Sequence, residues 1–215
     1  MRLNQNLLPT IVILLFALFY FSYSSYAQRL PEEPLRFHKD YTENGLIFGS
    51  ITFPNNQMRF DNYNLLINYV TSDKKLRRKY SNKIRIDPTM FIGKHYGELN
   101  GGKTYLFVIE QNPGQYDIPN VKFTTFKLFD YAPQYNYVTG FSIPFAVIKG
   151  EITYIGEINI NEYSLKGEKV ISITDQFDRD KNALKEKFTM VNWNLAVKSK
   201  LELLYPNGGE RLGNY

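Results

Sequence analysis

The 215-residue chain contains no cysteine. That absence excludes disulfide staples, thiolate metal sites, a cysteine nucleophile and lipid attachment through an amino-terminal cysteine. Histidine is almost missing as well. His38 and His95 are the whole supply, neither within an H-E-x-x-H motif, so zinc has no ligand set of its own here. No asparagine is followed two positions later by serine or threonine, which removes every N-glycosylation acceptor. No G-x-S-x-G elbow occurs either. Two carboxylates could still meet in space as they do in glycosidases, since such pairs leave no trace in spacing, but nothing favours one. The expectation is a chain that is not an enzyme and carries no cofactor or metal.

What is present begins with a three-part amino end. Arg2 is followed by a nearly unbroken apolar run over 7–23, then by Ser25-Tyr26-Ala27, with small residues where a signal peptidase needs them. No basic stop-transfer cluster follows, so the pattern predicts a cleaved signal peptide over 1–27 in preference to a permanent anchor. Taking 27 residues from 215 leaves 188, enough for one core without staples. An exported chain with neither disulfides nor sequons, its leader ending Ala-Gln, is of the kind bacteria send to the periplasm, outer membrane or exterior.

The charge balance is 26 basic against 21 acidic residues, a formal +5. After export, nucleic acid is excluded as a partner. The excess suits anionic surfaces such as lipid head groups or envelope polysaccharide, although solubility alone also accounts for it. Basic residues are scattered apart from Lys74, Lys75, Arg77, Arg78 and Lys79, a run predicted as a solvated loop between two strands.

Residues 28–44, with Pro31 and Pro34, read as an irregular leader to a single domain over 45–200. From Gly45 the dominant apolar period is two, which predicts strands over 45–53, 63–69, 83–87, 105–109, 121–129, 141–148, 152–160 and 169–175. The run at 105–109 is apolar on both faces and reads as a central strand. Gly- and Asn-rich turns separate these segments. Residues 178–188 read as the one helix, Asp178 capping it and Leu184 and Phe188 on one side. Residues 191–197 are ambiguous, and 201–215 form a C-terminal tail that reads as unstructured from Pro206 to Tyr215. Eight such strands predict an all-β antiparallel sandwich.

Gly45-Leu46-Ile47-Phe48-Gly49-Ser50-Ile51, with Phe107-Val108-Ile109 and Asn112-Pro113-Gly114-Gln115-Tyr116-Asp117-Ile118, resembles the prealbumin-like, carboxypeptidase-regulatory-like β-sandwiches of bacterial envelope proteins. Glu151-Ile152-Thr153-Tyr154-Ile155-Gly156-Glu157-Ile158 and Asp178-Arg179-Asp180 are also similar to uncharacterised envelope proteins. The resemblance spans about residues 45 to 188. It implies a prealbumin-like sandwich of seven or eight strands and a strand pair around Tyr116, and no activity.

Two motifs look sharper than their context allows. Gly97-Glu98-Leu99-Asn100-Gly101-Gly102-Lys103-Thr104 fits the phosphate-loop pattern at every position. Such a loop needs a helix at its exit to aim amides at phosphate, and Thr104 opens a strand-like run instead. A glycine-rich hairpin loop without nucleotide is expected. Asp178-Arg179-Asp180-Lys181-Asn182 opens like a calcium loop, but Ala183 and Thr189 stand where the turn glycine and bidentate glutamate belong. Helix-start carboxylates explain it better.

The segment Phe129, Tyr131, Tyr135, Tyr137, Phe141 remains. The phenylalanines are expected in the core. Tyr131, Tyr135 and Tyr137 are the candidate contact residues, because tyrosine offers large rigid area at low entropy cost. Two functions fit. One is an exported, non-catalytic envelope module that binds a protein partner, for example by strand addition. The other is a carbohydrate- or lipid-binding module using the 131–137 segment. Mass spectrometry of exported protein is expected to find an amino terminus at or near Gln28, and an intact 1–27 segment in the membrane fraction would overturn the leader reading.

Overall fold

Alternation of apolar side chains sets the architecture. A computed structural model describes residues 35–87, 93–126, 132–165, 167–206 and, for the backbone, 211–214. The segment read as a signal peptide lies outside these residues, as do Phe129 and Tyr131. In β1 (Gly45–Thr52), Ile47 and Ile51 point one way, Leu46 and Phe48 the other, and all four are buried. A strand apolar on both sides must be covered on both. It pairs antiparallel with β4 (Thr104–Gln111) and parallel with β9 (Ile152–Ile160). The far side of β9 takes β10 (Ile171–Thr174) antiparallel and β11 (Ala196–Lys198) parallel, completing sheet I.

Sheet II is built on β2 (Asn62–Tyr69). One side of β2 pairs with β3 (Asn82–Ile86). Its other side pairs with β6 (Val121–Thr125) and β5 (Gly114–Ile118), two consecutive pieces separated by Pro119 and Asn120. Next come β8 (Ile143–Val147) on β5, β7 (Gln134–Thr139) on β6, and β12 (Arg211–Asn214) on β7. Tyr63, Leu65, Ile67, Ile84, Ile86, Val121, Phe123 and Val138 pack inward against Ile47, Ile51, Phe107 and Ile109 of sheet I. The alternate positions of sheet II, among them Asn64, Lys83, Arg85 and Lys122, are mostly polar, so this sheet is wet on its outer face. The chain is an all-β sandwich, mostly antiparallel, with β1–β9 and β9–β11 the parallel pairs.

A third layer covers the outside of sheet I. Helix α2 (Phe177–Lys187) buries Leu184, and with Phe188, Val191 and Trp193 it lies over Leu46, Phe48, Leu106, Val108, Ile152 and Tyr154. Trp193 meets Phe48 edge-on at 5.3 Å and its Nε1 donates to Phe188 O at 3.0 Å. Phe37 and Leu35, inside the stretch read as an irregular leader, pack on the same layer. This covering explains β4, expected as a central strand. It stands at the edge of sheet I, and its two apolar faces are both enclosed.

Other departures have local causes. The basic run is not a loop but helix α1 (Lys74–Tyr80), whose cap Asp73 accepts from Lys75 N at 2.7 Å and Leu76 N at 3.3 Å. A good N-cap followed by Lys, Leu and Arg outweighs the expectation from charge. Residues 211–214 form β12 instead of an unstructured tail, and Leu204 exchanges hydrogen bonds with Ser142 at 2.9 Å. Four strands beyond the expected eight are described: β5, which the resemblance implied, and β7, β11 and β12. Tyr116 is buried and its hydroxyl donates to Asn112 O at 2.8 Å. Among the described residues no helix is long and apolar enough to cross a membrane.

The glycine-rich motif closes a tight reversal. Leu99 bridges Thr104, and Asn100, Gly101 and Gly102 take φ of 55°, 66° and 92°. Its exit is β4, an extended strand, so the amides do not converge as they do at a helix start. A Cβ at Gly101 would meet nothing within 4 Å, whereas one at Gly102 would stand 2.7 Å from His95 O. Gly101→Val is therefore expected to cost about 1–2 kcal/mol of backbone strain, and Gly102→Val more, because backbone must also move. Lys103→Ala is expected to shift stability by less than about 0.5 kcal/mol. Urea midpoints of the three variants at unchanged slope check this order.

Candidate functional site

Polar side chains gather in three places. The first arises from an irregularity in β9. Phe48 faces Tyr154 but Ser50 faces Glu157, so two steps of β1 match three of β9, a β-bulge. Gly156 supplies φ 109° there, and its carbonyl lies 2.4 Å from where a Cβ on Gly49 would stand. The extra residue breaks the alternation, and Tyr154 and Glu157 both face α2. Arg179 Nη2 lies 2.9 Å from Glu157 Oε1 and 2.7 Å from Asp180 Oδ1. Ser50 donates to Asp180 Oδ2 at 2.6 Å. Thr52 and Thr174 donate to the two oxygens of Glu157, each at 2.6 Å. Burial works to raise the Glu157 carboxyl, but these three donors overcome it and hold it below its usual range. Burial raises Asp180 despite Ser50 and Arg179. The carboxylates of the calcium-like motif thus separate: Asp180 is enclosed, while Asp178 is 81% exposed beside Lys181. Among the described residues no three His, Asp or Glu side chains converge.

The second place is His95. Its ring stacks on Phe53 at 3.9 Å, Nδ1 lies 3.3 Å from Tyr105 OH, and Nε2 lies 3.2 Å from Glu162 Oε1. Tyr63 OH donates to Glu162 Oε2, and Arg59 Nη1 donates to Glu162 O at 2.7 Å. Burial first, and then Glu162, push the Tyr63 hydroxyl far above its usual range, so it remains a donor. Histidine beside glutamate has the chemistry of an acid–base pair. Both side chains have zero exposure, however, so no substrate atom reaches them in this conformation. The cluster ties residues 95 and 162 to β2, to β4 and to Phe53 just past the end of β1. His38, by contrast, is exposed and 3.8 Å from Asp40. A cleft of about 20 Å³ beside β3 and β4, lined by Ile84, Ile86, Tyr105 and Phe107 among others, has room for one water.

The third place is the outer face of sheet II. Tyr135 and Tyr137 are alternate residues of β7 and share that face. Lys122 lies opposite Tyr137 on β6, its Nζ 3.5 Å from the centre of the Tyr135 ring and 5.9 Å from that of Tyr137. The row continues through Asn64 to Arg85, which pairs with Asp87 at 2.7 Å. Asn64 donates to Asn62, and Asn62 to Asp87. The structure therefore brings two of the three expected tyrosines together, each half-buried, on the outer face of sheet II. Phe141 is in the core, as expected. Lys122, Glu157, Arg179 and the His95–Glu162 pair were not singled out from the sequence. The available signal was a charge inside an apolar strand: Glu157 within 152–160 and Lys122 between Val121 and Phe123.

No family model matches the chain, and no curated protein does. One solved structure, a leucine-rich repeat protein from Bacteroides thetaiotaomicron, is similar over 68% of this chain at 14% identity and a TM-score of 0.31. The chain spans 16% of that protein's length. A likeness this distant carries no argument.

The Arg179 network yields a signed expectation. A carboxyl held below its unfolded-state value stabilises the fold above that value, and the contribution is lost as pH falls through the folded one. The stability gap between the parent and Glu157→Gln is thus expected to be full above the ordinary glutamate value of 4.5 and to shrink as pH falls below it. Asp180→Ala strands the Ser50 hydroxyl and half of the guanidinium, and is expected to cost about 3 kcal/mol at neutral pH. Urea titrations across the acid range check both, and a Glu157→Gln gap that widens on acidification contradicts the assignment.

Proposed function

We propose that this chain is an exported bacterial envelope module without catalytic activity, which binds a protein partner through the outer face of sheet II. The observation that carries the reading is the Tyr135–Lys122–Tyr137 group, half-buried aromatic and cationic side chains standing together on the outer face of sheet II. Aromatic and cationic groups of this kind are the usual anchors of protein contacts. Strand addition at this place is not available, since β7 is paired on one side by β6 and on the other by β12. Contact is made by side chains. The carbohydrate alternative asks for an open ring face on which a sugar can stack, and Lys122 covers one face of Tyr135 at 3.5 Å. That geometry favours the protein partner.

Export rests on the leader pattern, and the lack of catalysis on two observations: the charged clusters are enclosed, and their donors and acceptors are engaged with one another. The prediction separates binding from folding. Tyr135→Ala with Tyr137→Ala is expected to change stability by no more than about 1 kcal/mol, the scale of one exposed cation–π contact. A photo-crosslinker at position 135, in cells exporting the protein, is expected to give a protein adduct of defined mass that Lys122→Glu abolishes. Tyrosine-dependent binding on a glycan array, with no protein adduct, would establish the carbohydrate reading instead.

A further inference from the structure

Helix α1 is an unusual thing to fold. None of its seven residues is buried, and five of them are Lys or Arg. Its like charges meet at i,i+3 and i,i+4 (Lys74 with Arg77 and Arg78, Lys75 with Arg78 and Lys79), and every such pair is repulsive. The helix stands on local bonds: the Asp73 cap, an Arg77 guanidinium donating to Thr71 O, and Tyr80 set against Tyr69 at 5.3 Å. The charge continues into β3 with Lys83 and Arg85. Residues 74–85 hold seven basic and no acidic side chains. Removing those seven from the total of 26 leaves 19 against 21 acidic residues. The net positive charge of the chain therefore depends on this one segment. Among the described residues no carboxylate pairs with Lys74, Lys75, Arg78 or Lys83.

Apolar side chains lie among these charges. Leu66, which stands opposite Lys83 across β2 and β3, is 37% exposed, Val70 at the end of β2 is 55% exposed, and Leu76 on α1 is 39% exposed. A soluble polyanion would satisfy the lysines and arginines and leave these three in water. An anionic bilayer surface satisfies both, since phosphate groups meet the charges and the acyl boundary just beneath takes the apolar groups. It also relieves the repulsion within α1.

We infer that α1, the end of β2 and β3 form a peripheral docking surface for anionic phospholipid bilayers. Lys74, Lys75, Arg78 and Lys83 lie toward the head groups, and Leu66, Val70 and Leu76 insert at the boundary. The surface is separate from the tyrosine pair and does not depend on it.

The test is co-sedimentation with vesicles of equal parts phosphatidylglycerol and phosphatidylcholine, against pure phosphatidylcholine. The chain from Gln28 is used, because the described fold begins at Leu35 and lies whole within it. Binding to the anionic vesicles alone is expected. Lys74→Ser with Lys75→Ser and Lys83→Ser is expected to weaken it roughly a hundredfold, about fivefold per charge. Val70→Ser with Leu76→Ser, both at exposed positions, are expected to weaken it several-fold while leaving the thermal midpoint in place. Tyr135→Ala with Tyr137→Ala should bind as the parent does. Three results overturn the inference: equal binding to both vesicle types, no binding to either, or a loss with the lysine variants but none with Val70→Ser and Leu76→Ser. The last would mark a polyanion site, and dextran sulfate would then compete equally well against the parent and the apolar variant.

Discussion

The bulge at Gly156 is the constraint on which the outer layer depends. A strand of regular pleat would send Tyr154 and Glu157 to opposite faces. The one extra residue puts both on the side where α2 lies. Glu157 then meets Arg179, Arg179 meets Asp180, and Asp180 accepts from Ser50 of β1. A buried charge left alone is costly, and a triad with every oxygen engaged is tolerated. The network therefore serves less as a source of stability than as a register pin: α2 docks in the one position that leaves no charge unpaired. Around that pin Leu184, Phe188 and Trp193 close over Phe48 and Tyr154.

Once α2 and its neighbours lie over sheet I, its central strands β1 and β9 have no free face. Both faces of β1 and β4 are enclosed, and their residues serve packing and the buried polar networks. Sheet II differs because it is apolar on one side only. Its outer face carries the Tyr135–Lys122–Tyr137 group at one side and Lys83 at the other, where the basic helix α1 joins β2 to β3. The division of labour follows from covering one sheet and leaving the other wet. The buried His95–Glu162 pair fits the same scheme. Its residue types suggest chemistry, yet its place between the sheets makes it a fastening, with Phe53 stacked on the imidazole and Tyr63 donating to the carboxylate.

Much of this is legible from residue order, and the exceptions have physical causes. Period-two alternation located β1, β2, β3, β4, β6, β8, β9 and β10, because a pleated strand imposes that period whatever lies around it. Short strands such as β11 and β12 exist only because a neighbour offers an edge, and no local pattern of three or four residues announces that. The glycine motif illustrates the reverse case. Its pattern matches a phosphate loop, but the strand propensity of residues 104–109 was already there to say that no helix follows.

Alternation, turn residues and the absence of cysteine by themselves determined that this is a disulfide-free, largely β chain with its long strands near 45–52, 62–69, 104–111 and 152–160. Each of these depends on neighbours within a few residues, which is the range over which side-chain period and turn chemistry act. Tertiary structure alone decided that β4 is an edge strand, that Asp180 is buried while Asp178 is not, and that Lys122 rests on Tyr135. Those outcomes require residues 13 to 130 positions apart to meet, as Lys122 meets Tyr135 and Ser50 meets Asp180. They follow from which faces are covered when the layers stack, a property of the assembled whole that no stretch of the chain contains.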